Sequence, residues 1–215
     1  MARSPAQRSF WFHVVDVVFN IVVIVAIVAV IRTFLVSPFK VDGHSMDSTL
    51  ADGEYIVINK LAYIVGSPER GDIVVLRPPS EPSKFYVKRV IGVPGDIVSI
   101  RNGKVYVTPA GGTEMELSES YLDDRNRDNT YPRVPNEGSM ASARYEVPEG
   151  HYFVLGDNRM NSSDSRAFTL AGQSTPYVPD ENIKGRFWFV ALPITKIHAF
   201  SPPDYELTQG EINAE

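Results

Sequence analysis

Hydrophobic and polar residues follow two regimes along this chain. From Val14 to Val36 nearly every position is Val, Ile, Ala or Phe, and between Val17 and Ile31 only Asn20 interrupts the run. A helix over 14–36 would reach ~34 Å, enough to cross a hydrocarbon layer of ~30 Å. Asp16 and Arg32 stand near its ends, where their charges can reach lipid headgroups. The run lacks the polar face that a helix packed on a globular core keeps outside. A cleaved leader has a shorter apolar core and small residues at its cut site, whereas Ser37-Pro-Phe-Lys40 follows here. The pattern predicts a retained membrane-spanning helix over 14–36, preceded by a short tail, 1–13.

Beyond Phe39 the pattern changes to short β-branched and aromatic runs between turns. Strands are expected at Tyr55–Ile58, Asp72–Leu76, Phe85–Val93, Asp96–Ile100, Val105–Val107, His151–Leu155 and Arg186–Val190. Arg101-Asn-Gly-Lys104 reads as a hairpin turn. With no amphipathic helix after the anchor, the expected fold is mainly β: an antiparallel sheet or partly open barrel over 37–200. Residues 108–146 are polar, with Gly111-Gly112 and the run Asp123-Asp-Arg-Asn-Arg-Asp-Asn129, and read as an insertion or small subdomain with mobile loops. The acidic tail 201–215 reads as disordered.

Composition narrows the chemistry. A net charge of −5 argues against nucleic acid as a partner, and the absence of cysteine excludes disulfides, thiolate metal sites and a cysteine nucleophile. His13, His44, His151 and His198 show no ligand spacing, so neither a metal nor another cofactor is expected. Arg3 and Arg8 precede the span and Arg32 and Lys40 follow it; this modest bias favours an inside N-terminus and an outside β domain.

Two residues then stand out. Ser45 lies in Phe39-Lys-Val-Asp-Gly-His-Ser-Met46, and Lys88 in Phe85-Tyr-Val-Lys-Arg-Val-Ile-Gly-Val-Pro-Gly-Asp96. A serine hydroxyl needs a base to become a nucleophile. His44 is adjacent to Ser45 and points to the opposite face of an extended chain. A lysine can serve if neutral, yet at its unperturbed pKa only ~1 in 2,500 amines is free at pH 7. Apolar surroundings can supply the necessary shift. In a strand, Tyr86 and Val90 share the face of Lys88 while Val87 and Arg89 point away. Spacing alone does not bring Lys88 to Ser45, and a lysine in an apolar strand more commonly snorkels at an edge.

Four stretches, in order behind the anchor, resemble the boxes of the bacterial type I signal peptidases. Gly43-His-Ser-Met-Asp-Ser-Thr-Leu50 is similar to the family's Ser-Met-x-Pro-Thr-Leu, and Tyr86–Asp96 to its lysine box. Gly156-Asp-Asn-Arg-Met-Asn-Ser-Ser-Asp-Ser-Arg166 and Gly185-Arg-Phe-Trp-Phe-Val190 are similar to its last two. The resemblance implies a serine endopeptidase of the cell membrane that removes signal peptides from exported preproteins after Ala-x-Ala-like sites. It implies Ser45 as nucleophile, Lys88 as general base and an acyl-enzyme intermediate. Ser162 would hydrogen-bond the Lys88 amine, Asp164 and Arg166 would pair to brace that loop, and Asp157, Asn158 and Arg159 would shape it. Phe39, Val41, Met46, Leu50, Tyr86 and Val87 match positions near the substrate pockets; ordinary core packing explains them equally well. An extended peptide would add to open edges near Val41 and Tyr86–Lys88.

The sequence departs from the family twice. Ser48 stands where the family has proline, so the loop loses a fixed φ and gains a backbone donor. Gly43 stands where some members carry a serine that helps hold the oxyanion, which leaves the Ser45 N–H and the Gly43 backbone. Glycine here resembles the pattern of the family's Gram-positive members. Two other readings compete: a self-cleaving repressor-type Ser/Lys peptidase, disfavoured by the anchor and the lack of a DNA-binding module, and a catalytically silent membrane-bound binding or assembly protein on the same scaffold.

Overall fold

A computed structural model of the protein describes residues 5–79, 81–133, 142–169, 175–203 and 205. The apolar run forms helix α1 (Pro5–Val30), in which Phe10–Val30 has a mean hydropathy of 2.6 and is wholly unburied. The helix starts and ends earlier than hydropathy predicts. Ile31–Leu35 form a single wider π-helical turn, and Val36 is already extended at φ −138°, opening β1 (Val36–Lys40). Pro38 bars the helix from continuing through this point, because it has no N–H to donate, its ring would clash with the carbonyl four residues back, and it pushes Ser37 out of the helical region.

The fold is mainly β, as the turn-punctuated pattern predicts. One eight-stranded antiparallel sheet contains β1, β2 (Tyr55–Asn59), β3 (Ile73–Leu76), β4 (Tyr86–Gly92), β9 (His151–Leu155), β10 (Val178–Pro179), β11 (Ile183–Leu192) and β12 (His198–Ala199). Its order is β1-β2-β11-β3-β4-β9-β10, with β12 on β11. A second sheet holds β5 (Ile97–Arg101), β6 (Lys104–Thr108), β7 (Met115–Glu116) and β8 (Ala143–Glu146) in the order β7-β6-β5-β8. The small subdomain therefore begins at β5, ahead of the polar stretch that marked it in the sequence. Strands β7 and β8 are short and polar, so alternation alone does not reveal them.

Strand β4 is central to the large sheet and buries every residue from Lys88 to Gly92. Its two faces feed different clusters: Val90 packs with Val74, Val154 and Phe168, while Ile91 packs with Val98, Phe153 and Leu155. A third cluster, built on Met46, Leu50, Ile56, Ile58 and Phe187, lies beneath the segment that carries Ser45.

Three buried arginines tie the elements together. Arg89 donates to Asp157 through Nε (2.9 Å) and Nη2 (2.6 Å), and Thr49 Oγ1 donates to the same carboxylate. Arg166 pairs with Asp164 at 2.8 Å and reaches the carbonyls of Tyr131 and Arg159. Arg159 pairs with Glu119 and donates to Thr130 Oγ1 at 2.7 Å. Through Glu119, Thr130 and Tyr131, the stretch 108–146 grips the chain between Asp157 and Arg166; its described part is an anchored brace. The start of the tail is also packed: Tyr205 meets Tyr121 edge-on and joins the second cluster. The expected disorder of 206–215 concerns residues outside those described.

The β5–β6 turn is predicted correctly and is unusually tight. Asn102 and Gly103 both take positive φ, 53° and 78°. Thr130 N donates to Gly103 O at 2.8 Å, and a Cβ on Gly103 would stand 1.9 Å from Asp128 O. Gly103→Ala is therefore expected to lower stability by about 2 kcal/mol or more; urea unfolding of the detergent-solubilised full chain, followed by near-ultraviolet dichroism, measures it. Asp157→Asn should cost about 3–5 kcal/mol in the same assay, because it leaves the Arg89 charge buried without its counterion. A loss below about 1 kcal/mol would remove Asp157 from its bracing role.

Candidate active site

Ser45 sits on the connection between β1 and β2, residues 41–54, whose shape is set by burial on both sides. Met46 and Leu50 are each 1% exposed and plug the loop into the core. Met46 O accepts from Thr49 N (3.0 Å) and Leu50 N (2.8 Å). Asn158 then fixes the loop from outside: its N–H donates to Ser45 O at 3.0 Å and its Nδ2 to His44 O at 2.9 Å. Gly156 lets the two segments touch, since a Cβ there would lie 2.5 Å from Ser45 O and 2.2 Å from Ser162 Oγ.

Lys88 enters from β4. Its Nζ stands 2.8 Å from Ser45 Oγ and 2.8 Å from Val87 O, and 5.1 Å from the centre of the Tyr86 ring. The residue is 2% exposed. Loss of hydration pulls the amine's pKa down to about 8, against the raising pull of Asp164 and Asp157. Asp164 stays ionised. Burial alone pushes its carboxyl up, but the paired Arg166 guanidinium outweighs this and holds the pKa near about 2. The arrangement can do one piece of chemistry directly: a neutral amine can take the proton of an adjacent hydroxyl as that oxygen attacks a carbonyl.

Three of the expected contacts are not formed among the described residues. Ser162 is buried and its hydroxyl has no hydrogen-bond partner among them, while the Lys88 amine faces Ser45 Oγ and Val87 O. Ser162 lies close enough to Asp164 to help keep that carboxyl low, without ordinary hydrogen-bond geometry. The Gly43 N–H, expected to help hold an oxyanion, donates to Asp52 Oδ1 at 2.8 Å and is already committed. The Ser45 N–H has no acceptor among the described residues and remains available. Leu50, expected beside a substrate pocket, faces the core under the loop.

The other expected residues converge. Phe39, Val41, Gly43, Ser45, Met46, Tyr86, Val87 and Lys88 line one cleft of about 220 Å3. Its polypeptide edges are open. Residues Tyr86–Lys88 pair with β3 on one side, and β9 joins β4 only from Arg89 onward. β1 is an edge strand of its sheet. Lys40, Asp42, His44, Val75, Phe85 and Ser163 complete the cleft and were not anticipated as lining it. Phe85 belongs to the lysine box, so its neighbourhood gave the signal; Val75 is indistinguishable in sequence from any core valine. His44 is exposed and pairs with Asp47 at 3.2 Å.

Ser48 takes φ +85°. A proline ring fixes φ near −65°, so this turn is one that proline does not adopt. The departure from the family is therefore a different local backbone, held by the Met46 carbonyl and by the Thr49–Asp157 bond.

Comparison with known proteins agrees with this geometry. Residues 14–192 match the family described as signal peptidase, peptidase S26. Signal peptidase I of Pseudomonas fluorescens is 37% identical over 191 residues, covering 76% of this chain and 67% of that protein. Signal peptidase I of Bacillus licheniformis is 36% identical over 177 residues, covering 82% and 88%. Signal peptidase IB of Staphylococcus aureus is 34% identical over 196 residues, covering 88% and 96%. With identities above 30% across most of both partners, this chain belongs to the signal peptidase family, peptidase S26, and is a serine peptidase.

Proposed function

We propose that this protein is a membrane-anchored endopeptidase that removes N-terminal signal peptides from exported preproteins at Ala-x-Ala-like sites. The observation that carries the proposal is the 2.8 Å approach of a dehydrated lysine amine to a serine hydroxyl at the floor of an open-edged cleft. Lys88 takes the Ser45 proton as Oγ attacks the scissile carbonyl. The oxyanion receives the Ser45 N–H. The protonated amine then gives its proton to the leaving amino group, and an acyl-enzyme remains on Ser45. Water, deprotonated by Lys88, attacks the ester and restores the hydroxyl. Asp164 and Arg166 hold the loop behind the amine, and Ser162 turns to accept one of its N–H bonds when Lys88 is charged.

A peptide lying extended between β1 and the Tyr86–Lys88 edge bonds its backbone to both. Phe39, Val41, Met46, Tyr86 and Val87 shape the space left for its side chains, and the small cleft favours alanine-sized groups. Helix α1 anchors the enzyme in the cell membrane with its N-terminus inside and the β domain outside.

Cleavage of a preprotein with an Ala-x-Ala leader by the detergent-solubilised full chain tests the proposal. Ser45→Ala and Lys88→Ala should each lower kcat/KM by at least a thousandfold while leaving the fold intact; a parent protein that does not cleave would instead fit a silent scaffold. The rate should also report the base. Because the neutral amine is the active form and its pKa lies near about 8, kcat/KM should fall about tenfold per pH unit below 8 and level off above it. A flat profile between pH 6 and 9 would exclude Lys88 as the base. Ser162→Ala should lower kcat and shift this apparent pKa, with KM little changed.

A further inference from the structure

A second groove lies at the end of the large sheet where the chain leaves α1. Strand register defines that end. Val36 and Arg186 both pair with Asn59, Ile183 pairs with Leu76, and Leu76 pairs with Tyr86. Lys60, Arg77 and Phe85 lie just beyond the ends of β2, β3 and β4, and Lys184 is the second residue of β11. The four converge on a groove of about 480 Å3. Lys60, Arg77 and Lys184 supply three positive charges over an apolar wall that includes Tyr63, Ile64 and Phe85, and among the described residues no carboxylate lines it. Arg77 lies 4.6 Å from the centre of the Phe85 ring, and the Lys184 amine donates to Glu181 O, contacts that hold both side chains in place.

We infer that this groove binds the headgroup of an anionic phospholipid. Position supports a lipid over a free anion. Lys60 N donates to Leu35 O at 2.9 Å, and Leu35 closes the turn that continues α1. A residue so close to the end of the span lies within the headgroup layer, which adds ~5–8 Å on each side of the hydrocarbon core. The apolar surface fits the same ligand. Ile64 and Val65 on the one-turn helix α2 (Ala62–Val65) are 66% and 81% exposed, beside the cations. A phosphate with acyl chains satisfies both surfaces; an acidic peptide or free phosphate leaves Ile64 and Val65 in water. Cations near an anionic leaflet are attracted individually, and here three share one pocket.

The groove shares Phe39 and Phe85 with the catalytic cleft, and these rings meet edge-on at 5.0 Å. The bound lipid therefore presses on the wall of the cleft from the membrane side. This inference rests on α1 being the membrane anchor proposed above.

Native mass spectrometry of the full chain in detergent, titrated with phosphatidylglycerol, phosphatidylcholine or inorganic phosphate, tests it. Phosphatidylglycerol should be retained at a concentration at least tenfold lower than phosphatidylcholine, and inorganic phosphate should not be retained. The triple variant Lys60→Gln/Arg77→Gln/Lys184→Gln should lose that preference, while Lys60→Arg/Lys184→Arg should keep it. If near-ultraviolet dichroism shows the triple variant unfolded, Lys60→Gln/Lys184→Gln takes its place, with an expected weakening of at least threefold. Equal retention of the two lipids, undiminished binding by the neutralised variant, or inorganic phosphate held as tightly as phosphatidylglycerol would overturn the inference. Leader cleavage in lipid-free detergent and flotation on phosphatidylcholine vesicles report the peptidase and anchor readings separately.

Discussion

The Asp157 carboxylate joins the two halves of the site. It accepts two bonds from Arg89, the neighbour of Lys88 in β4, and one from Thr49, four residues beyond Ser45. The loop bearing the hydroxyl and the strand bearing the amine are thereby referred to one buried point. The adjacent backbone adds a third link, since Asn158 N donates to Ser45 O. A 2.8 Å approach of two side chains 43 positions apart requires such a common reference, because neither segment contacts the other through a strand ladder.

The pair Lys88-Arg89 shows how one strand handles two cations differently. Successive side chains point to opposite faces. Arg89 meets Asp157 and keeps its charge; Lys88 meets an apolar floor and a hydroxyl. Desolvation wins over the pull of Asp157 and Asp164 and brings the amine's pKa down to about 8, so the neutral base is populated as the pH approaches that value. Relative to a solvated lysine, this weakens protonation of the amine by ~3 kcal/mol. That cost explains the surrounding bracing. The Arg166–Asp164 and Arg159–Glu119 pairs stiffen the chain behind the amine, so the cleft cannot relax by admitting water to it. The connection between β7 and β8 contributes here as a brace, through Glu119 and Thr130.

Much of this was legible beforehand. The apolar run, the β-rich remainder and the Asn102-Gly103 turn follow from local rules of helix length, alternation and turn conformation. Ser45, Lys88 and the 156–166 stretch stood out because their spacing is similar to that of a family. Other features left no local mark. Glu119 is one acid in a polar stretch, and only the fold shows that it holds Arg159. Gly43 looked free to serve an oxyanion until Asp52 was seen to occupy its N–H. Ser48 read as a proline site that had lost its ring, whereas its positive φ marks a different turn.

The sequence by itself determined the long apolar helix, the fold class and Ser45 and Lys88 as the candidate pair, because hydropathy, alternation and motif spacing are properties of contiguous chain. The distance between those groups, the dryness around the amine and the assignment of each hydrogen-bond donor were decided only by tertiary structure. Each depends on which distant segments share a surface, and no local preference encodes that.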